Sequence, residues 1–329
     1  MGYYIFRLKF DTALHFGATE HGGKLERNTE EFGADSLFSA LLCELSLQGM
    51  DERIPSIVEE AKRGALLLSD LFPWEANEQK ISYYLPKPKF YTKDAQETVT
   101  QEFSKAAEIM DKEKEYRGIK YICVDELEDY WRSCEYGKIY EMKRKWSGTV
   151  LFYDEKVDCR KKESAPYYVA GRRFLPNQGL YFFVKLPESL DVAIFSSLVE
   201  SLGLSGIGGK KSSGFGKFHL AESPIEITGK HENVIVQKLA QRLEASSLFY
   251  VSLSMMSPEQ KDLSKLRKGC FALKKRSGFS GNQKRRDIYM ILAGSVFQDK
   301  IGGRVLCVGK REGHDIWRYG KGFYLGVDV

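Results

Sequence analysis

The chain has 329 residues, of which 43% are apolar and 29% charged, and it carries a formal charge of +5. This composition is typical of a globular protein with a buried core, and the length allows two domains of ordinary size. No run of eighteen apolar residues occurs and the first residues do not resemble a secretory signal, so we expect a cytoplasmic protein without a membrane span. The six cysteines are scattered and fit reduced thiols better than a zinc site or disulfides.

The first elements are a predicted strand and two predicted helices. Side chains alternate with period two over residues 3–10, which indicates a half-buried strand. Asp35-Ser36 offers an N-cap for an amphipathic helix that ends near Gly49, and a second helix is predicted over residues 54–62. This second helix leads to the largely apolar residues 66–72. Residues 82–85 are expected to be extended, because they run into Pro86-Lys87-Pro88, which a helix cannot cross.

Residues 89–165 are dense in Lys, Glu and Tyr, and we interpret them as an insertion that is partly helix and partly loop. A solvated appendage and a contact with nucleic acid or a partner both remain open for it. After it, helices are predicted over residues 191–202 and 232–244. Strands are predicted over 167–169, 180–186, 215–220, 249–253, 288–292 and 304–308. The order strand–helix, strands, helix–strand predicts an α+β fold of the ferredoxin-like type, which is also the scaffold of RNA-recognition domains.

A glycine-rich loop lies between the helix over 191–202 and the strand that follows it. Its residues are Gly206, Ile207, Gly208, Gly209, Lys210, Lys211, Ser212, Ser213, Gly214, Phe215, Gly216, Lys217 and Phe218. Glycine permits positive φ and close backbone approach, so exposed N–H groups can cradle phosphates while lysines neutralise them and serines add hydrogen bonds. A tight turn from helix to strand would explain the glycines as well, but it would not explain the lysines and serines.

This loop does not match the familiar nucleotide-binding loops. A P-loop ending at Gly209-Lys210 would need glycine at Leu204 and Ser or Thr at Lys211. A G-x-G-x-x-G motif beginning at Gly206 would need glycine at Lys211. The loop also follows a helix and precedes a strand, which is the reverse of both motifs. ATP and NAD are therefore disfavoured, and we expect no cofactor and no metal.

The segment 202–218 resembles the glycine-rich loop of the repeat-associated mysterious proteins (RAMPs) of CRISPR systems. Three further segments resemble the fourth subunit of the type III-A Csm complexes. They are Leu14-His15-Phe16-Gly17 with Asp35-Ser36-Leu37-Phe38-Ser39-Ala40, then Pro166-Tyr167-Tyr168-Val169 with Gly179-Leu180-Tyr181-Phe182, and Trp317-Arg318-Tyr319-Gly320-Lys321-Gly322-Phe323. The resemblance spans the chain in order, and the insertion is its least diagnostic part.

The resemblance implies an antiviral RNA-binding subunit built from two ferredoxin-like domains. We expect an N-terminal domain over residues 1–229, containing the insertion and the glycine-rich loop, and a C-terminal domain over residues 230–329. Members of this family hold the 5′ repeat-derived tag of the guide RNA (crRNA), beside the large polymerase-like subunit and a backbone RAMP subunit. The expected RNA-binding residues are His15, Gly206, Gly208, Gly209, Lys210, Lys211, Ser212, Ser213, Gly214, Gly216, Lys217, Arg172, Arg173, Arg318 and Tyr319. Unstacked bases could stack on Tyr3, Phe16 or Tyr319.

A catalytic role is the alternative, because some RAMPs process guide RNA without a metal. His15 could act as the general base, since the pKa of histidine suits that task. The nearest second histidine is His21, in a different loop that runs from Gly17 to Gly33. We therefore expect no catalytic residue and assign His15 to RNA or structural hydrogen bonding. Asp11 closes the first strand, where a turn or cap role is expected.

Four basic clusters complete the candidates. They are Arg160-Lys161-Lys162, Arg172-Arg173, Lys274-Lys275-Arg276 and Lys284-Arg285-Arg286, all expected in loops. Each cluster is either a solvated surface or an RNA contact. Together with the glycine-rich loop, they indicate that the positive charge of the chain is concentrated in a few places.

Overall fold

The computed structural model describes residues 2–17, 25–78, 80–90, 103–158, 164–281 and 283–328. Its helices are α1 (Ala34–Leu47), α2 (Ile54–Arg63), α3 (Phe103–Gly118), α4 (Leu127–Glu135), α5 (Val192–Ser205), α6 (Val234–Glu244) and α7 (Leu263–Leu266). The strands before residue 230 are β1 (Gly2–Phe10), β2 (Phe16–Gly17), β3 (Asn28–Thr29), β4 (Leu67–Leu68), β5 (Phe72–Ala76), β6 (Ile81–Pro86), β7 (Tyr121–Cys123), β8 (Val150–Asp158), β9 (Ala165–Arg173), β10 (Gln178–Leu186), β11 (Phe218–Leu220) and β12 (Ile225–Glu226). The later strands are β13 (Phe249–Ser252), β14 (Leu273–Arg276), β15 (Phe279–Ser280), β16 (Gln283–Lys284), β17 (Ile288–Ile291), β18 (Val296–Phe297), β19 (Leu306–Arg311), β20 (His314–Arg318) and β21 (Tyr324–Val327).

An antiparallel sheet with the order β11-β1-β10-β5-β6-β7 forms the centre of the protein. Within it, β1 and β10 pair along most of their length, with Gly2 opposite Leu186 and Leu8 opposite Leu180. Helices α1 and α5 pack beside each other against one face of this sheet. The α+β character that the strand and helix order predicts is therefore confirmed.

Strand β10 is buried on both faces, which explains its nearly continuous apolar sequence. Phe182 and Val184 point into the core beneath α1 and α5, where the Phe182 ring stacks on Phe6 at 5.2 Å between centroids. Tyr181 and Phe183 point to the opposite face, into a second core that includes α6, β13 and β21. The period-two pattern of one strand thus serves two cores, and the later part of the chain covers the second face of the sheet.

The insertion contributes to this second core. Strand β7 extends the central sheet by pairing with β6, and Ile122 and Trp131 are buried among the core residues. Tyr130 of α4 is also buried and donates a hydrogen bond to the carbonyl oxygen of Pro88 (2.7 Å). The prediction of a solvated appendage is therefore wrong for residues 121–131, because apolar side chains between the charged runs pack inward.

The expected N-cap at Asp35-Ser36 is also wrong. Helix α1 already begins at Ala34, after the N-cap Gly33, so Asp35 lies in its first turn, and the carboxylate of Asp35 is buried. It accepts two hydrogen bonds from Arg276 (2.9 Å each) and one from Arg318 (2.5 Å). Burial raises the pKa of Asp35, but these two guanidinium groups outweigh burial and hold that pKa below its usual value. An acidic residue near a helix start is used here to join distant parts of the chain.

The other predicted elements lie close to their expected positions. Helices α2, α5 and α6 confirm the helices predicted over 54–62, 191–202 and 232–244. The strand predicted over 215–220 is shorter, since β11 begins only at Phe218, after the left-handed turn at Gly216 (φ 80°). No helix in the described ranges is long and apolar enough to cross a bilayer.

Candidate nucleic-acid interface

The glycine-rich loop is folded back on itself between α5 and β11. The N–H of Ile207 donates to the carbonyl oxygen of Gly216 (3.0 Å), and the N–H of Gly216 donates to the carbonyl oxygen of Ala13 (2.7 Å). Gly216 has a φ of 80°, and a Cβ atom there would lie 2.0 Å from the Ile207 oxygen. Only glycine fits this position, because both its backbone angle and the space around it exclude a side chain.

The loop is docked on the segment that follows β1. The N–H of Gly209 donates to the carbonyl oxygen of His15 (2.8 Å), and a Cβ atom at Gly208 would lie 2.7 Å from the same oxygen. His15 itself is 5% exposed, and its Nδ1 donates to the carbonyl oxygen of Ala170 (2.8 Å). The expected RNA contact by His15 is therefore corrected to a supporting role, since its side chain lies between the loop and β9.

The outer side of the loop carries the polar side chains. A short 3-10 turn, Lys211–Ser213, exposes Lys211, Ser212 and Ser213, and Lys217 is exposed beyond it. Lys210 is half-buried, with its Nζ 5.6 Å from the centre of the Tyr167 ring. The backbone N–H groups of Lys211 and Ser212 have no acceptor among the residues that the structure describes. The loop thus combines a rigid inner side with an outer side that offers lysines, hydroxyls and amide donors.

A cleft of about 350 Å³ lies beside this outer side. Ser213 and Gly214 of the loop form one wall, the β8–β9 ribbon forms another with Phe152 and Arg173, and the residues after β1 close the end. The Arg173 guanidinium is exposed and lies 5.1 Å from the centre of the Phe152 ring. Asp11, at the closed end, accepts a hydrogen bond from Nδ1 of His219 (2.8 Å). The cleft therefore presents a cation and an aromatic face next to the lysines of the loop.

Most other cations of the basic clusters are paired. Arg172 binds Glu30 (2.8 Å), Lys274 binds Glu31 (2.9 Å) and Lys275 binds Asp287 (3.0 Å). The expected loop positions are wrong for two clusters, because Arg172-Arg173 end strand β9 and Lys274-Lys275-Arg276 lie in β14. In the cluster Lys284-Arg285-Arg286, Lys284 ends β16 and Arg285 is partly buried. The cluster at 160–162, like His21, lies outside the described residues.

Arg318 and Tyr319 do not reach the surface. Arg318 is 5% exposed and binds Asp35, while Tyr319 is 0% exposed and its hydroxyl accepts a hydrogen bond from the N–H of Leu68 (2.8 Å). The expectation that Tyr319 stacks on a base is therefore wrong, and the same holds for the buried Phe16. Both rings fill the core beside other aromatic residues, Tyr319 beside Phe38 and Phe16 beside Phe32.

The interface also contains two aromatic residues that were not predicted from the sequence. Phe152 and Tyr167 lie on the same side of the β8–β9 ribbon, facing Arg173 and Lys210 respectively. Each belongs to a pair of adjacent aromatic residues, Phe152-Tyr153 and Tyr167-Tyr168, and the period of two along a strand places one member of each pair on this face. Among the described residues, no group of three or more His, Cys, Asp or Glu side chains is arranged to hold a metal ion.

Comparison with known proteins finds a likeness to one family of CRISPR proteins. A model of the CRISPR Csm4 C-terminal domain matches residues 245–327. The CRISPR system protein Csm4 of Streptococcus thermophilus is 27% identical over 338 aligned residues, which cover 100% of both chains. The Csm4 protein of Mycobacterium tuberculosis (strain H37Rv) is 26% identical over 331 residues, covering 98% of this chain and 97% of that one.

Solved structures agree with this likeness in fold. A chain of a Csm3-Csm4 subcomplex from a type III-A CRISPR-Cas interference complex superimposes with a TM-score of 0.62 at 16% identity, covering 100% of both chains. A chain of a Csm1-Csm4 cassette in complex with AMPPNP superimposes with a TM-score of 0.55 at 17% identity, covering 99% of this chain and 98% of that one. The likeness to proteins named Csm4 extends over the whole length of the chain in both sequence and fold.

Proposed function

We infer that this protein is a non-catalytic RNA-binding subunit of a type III-A CRISPR (Csm) interference complex in the cytoplasm. It would hold the 5′ tag of the crRNA and join the large polymerase-like subunit to the backbone subunits. The observation that carries the RNA-binding part is the exposed lysine- and serine-bearing side of the glycine-rich loop, beside a cleft that contains the exposed Arg173. The assembly part is supported by the relatives named Csm4 and by solved complexes of Csm4 with Csm3 and with Csm1.

Two ferredoxin-like domains are part of this proposal. The strand order β11-β1-β10-β5, with α1 and α5 on one face, matches the four-stranded antiparallel sheet of a ferredoxin-like domain. This supports an N-terminal domain over residues 1–229. For residues 230–329 the support is narrower, namely the antiparallel strands β18-β13-β21 with α6 packed against β21.

The proposed RNA-binding set follows from the exposed groups. Lys210, Lys211 and Lys217 would neutralise phosphates, while Ser212 and Ser213 would donate hydroxyl hydrogen bonds. Arg173 would contact RNA from the cleft, where Phe152 offers a ring for stacking. The glycines at 206, 208, 209, 214 and 216 would act by shaping the loop. Arg172 would not contact RNA itself; its ion pair with Glu30 would fix the end of β9, where Arg173 lies.

Absence of catalysis is expected from the surroundings of His15. A general base must reach the 2′-hydroxyl that it activates, and the Nδ1 of this buried ring is occupied by the Ala170 carbonyl. The purified chain should therefore leave repeat RNA intact with or without divalent metal, as followed by gel electrophoresis of end-labelled RNA. Specific cuts that disappear in a His15→Ala variant would instead establish the endoribonuclease alternative.

Assembly is tested by capture from the native cells. A tagged copy of this chain should retain crRNA, the large polymerase-like subunit and a backbone RAMP subunit, identified by mass spectrometry and RNA sequencing. A matched culture that expresses the tag alone gives the background. Recovery of a stable monomer without RNA and without any CRISPR subunit would refute the proposed function.

A further inference from the structure

A second cavity, distant in sequence from the glycine-rich loop, lies where β6, the end of α3 and the C-terminal part of the chain meet. Its volume is about 470 Å³, within the range of pockets that bind small molecules. Its walls are largely aromatic and apolar, including Phe32, Pro86, Phe90 and Ile119. A cavity of this kind accommodates a flat ring, because apolar walls favour burial of the ring faces while polar groups select its edges.

Two polar groups at this cavity have hydrogen-bonding capacity left over. The Oδ1 atom of buried Asp70 accepts from the N–H groups of Ala34 (2.8 Å) and Met255 (2.9 Å), whereas its Oδ2 has no partner among the described residues. The hydroxyl of Tyr121 likewise has no hydrogen bond within the described part of the chain, although the residue is only 8% exposed. Both residues line the cavity, so a ligand can supply the missing partners.

The protonation state of Asp70 suits the edge of a nucleobase. Burial raises the pKa of Asp70 to about 7, so near neutral pH the carboxyl group exists in both forms. The neutral form donates and accepts a hydrogen bond at once, and the Tyr121 hydroxyl can do the same. Nucleobase edges present donors and acceptors side by side, which matches this pair of groups.

Cations lie at the same cavity. Lys89 donates one hydrogen bond from Nζ to the Ala293 carbonyl (3.1 Å), which leaves two of its three N–H donors, and Lys120 is exposed. Burial raises the pKa of Glu31, but Lys274, with smaller contributions from Lys120 and Lys89, holds it below its usual value. Glu31 has its closest cation in Lys274, so it offsets the charge of Lys89 and Lys120 only in part, and both lysines can still bind an anionic ligand.

We propose that this cavity binds one nucleotide, with the base against Asp70 and Tyr121 and the phosphate at Lys89 and Lys120. The nucleotide is either a free mononucleotide or an unpaired residue of a single strand, which share this chemistry. The site is separate from the glycine-rich loop, so it does not depend on the proposed function. It uses residues of the insertion, of β6 and of the C-terminal part of the chain together.

The test is calorimetric titration of the full chain with AMP, GMP, CMP and UMP, with inorganic phosphate as the reference ligand. At least one mononucleotide, or a single-stranded hexanucleotide, should bind with a Kd below about 1 mM and more tightly than phosphate. Lys89→Gln should weaken that binding by roughly tenfold or more, since it removes a charge-assisted hydrogen bond. Tyr121→Phe keeps the ring and removes one hydroxyl, so a severalfold loss is expected from it.

Matched variants separate this site from the loop. Tyr289→Phe removes the hydroxyl of an exposed tyrosine and should change nothing. The double charge reversal of Lys210 and Lys211 should weaken hexanucleotide binding and leave mononucleotide binding intact. A response of mononucleotides to Lys89→Gln assigns the cavity to free nucleotides, and a response of the hexanucleotide alone assigns it to a strand. If neither ligand binds, or if neither Lys89→Gln nor Tyr121→Phe changes the binding, the proposal is overturned.

Discussion

Changing Lys210 and Lys211 to glutamate is expected to weaken guide-RNA binding for every base sequence tested. Interactions with phosphates fix position without reading the bases, so the decrease in affinity should be nearly uniform across tags. For each phosphate that the variant no longer binds, the slope of log K against log salt should also fall by about 0.7 for a single strand. Titration of guide RNA at several salt concentrations measures both effects, with circular dichroism as the check on folding.

A charge-matched control isolates the position of the two lysines. Lys230 and Lys238 are exposed and lie outside the loop, so their reversal to glutamate changes the net charge equally. That variant should bind with nearly the parental salt slope. If the loop variant is folded and binds like the parent, or if both double variants lose affinity equally, the loop is merely a turn.

A third variant removes no charge. At Gly208 the φ is 87°, and a Cβ atom would lie 2.7 Å from the His15 oxygen and 2.8 Å from the Phe16 ring. Gly208→Val should therefore displace the loop from the His15-Phe16 segment and lower RNA affinity with no change of net charge. Comparison of the three variants distinguishes the charge of the loop from its shape.

Asp35→Ala is expected to be among the most destabilising single substitutions in this protein. It leaves Arg276 and Arg318 buried without their carboxylate, and breaking a buried ion pair from one side typically costs about 3–5 kcal/mol. Two N–H groups of Arg318, at Nε and Nη2, already lack an acceptor in the described structure. Urea denaturation of the full chain, followed by tryptophan fluorescence, gives the change in the free energy of unfolding.

The control for Asp35 is an exposed carboxylate with one arginine partner. Glu128 binds Arg242 at 2.8 Å and is about half exposed, so Glu128→Gln should change stability by less than about 1 kcal/mol. Should Asp35→Ala fail to fold, Asp35→Asn retains the shape of the side chain and removes only its charge. Because the folded-state pKa of Asp35 is lowered, its contribution is present above the usual carboxyl pKa and is lost as the pH falls through the folded value. An Asp35→Asn variant as stable as the parent at neutral pH would contradict this account.

Local patterns predicted the elements whose side chains have a clear period. The strand β1, the buried strand β10 and the helices α5 and α6 follow from apolar spacing, which is a property of neighbouring residues. The position of the glycine-rich loop also follows, since it lies between a helix and a strand that are each easy to recognise. Its inner contacts with His15 do not, because nothing near Gly208 in sequence reveals which backbone lies against it.

The features that the sequence did not predict depend on contacts between residues that are distant in sequence. Asp35 pairs with residues 241 and 283 positions away, so the same acidic residue that suggests a helix cap by its neighbours became the anchor of an ion pair. Tyr319 lies among glycines and cations that favour a surface position, yet its ring is buried in the core beside Phe38. The burial of Ile122 and Trp131 was not predicted for the same reason, because charged residues surround them in the sequence. In each case burial was determined by tertiary contacts that no local pattern contains.

The positions of Tyr319 and Phe323 affect when the chain can fold during its synthesis. The Tyr319 ring packs on Phe38 and its hydroxyl binds the backbone of Leu68, while Phe323 packs on Tyr3. A ribosome adds these two aromatic residues roughly three hundred codons after it has made Tyr3. Until then both cores lack side chains that close them, and their apolar surfaces remain open to chaperones and to aggregation. Folding of the first half is therefore completed only after Tyr319 and Phe323 have been translated.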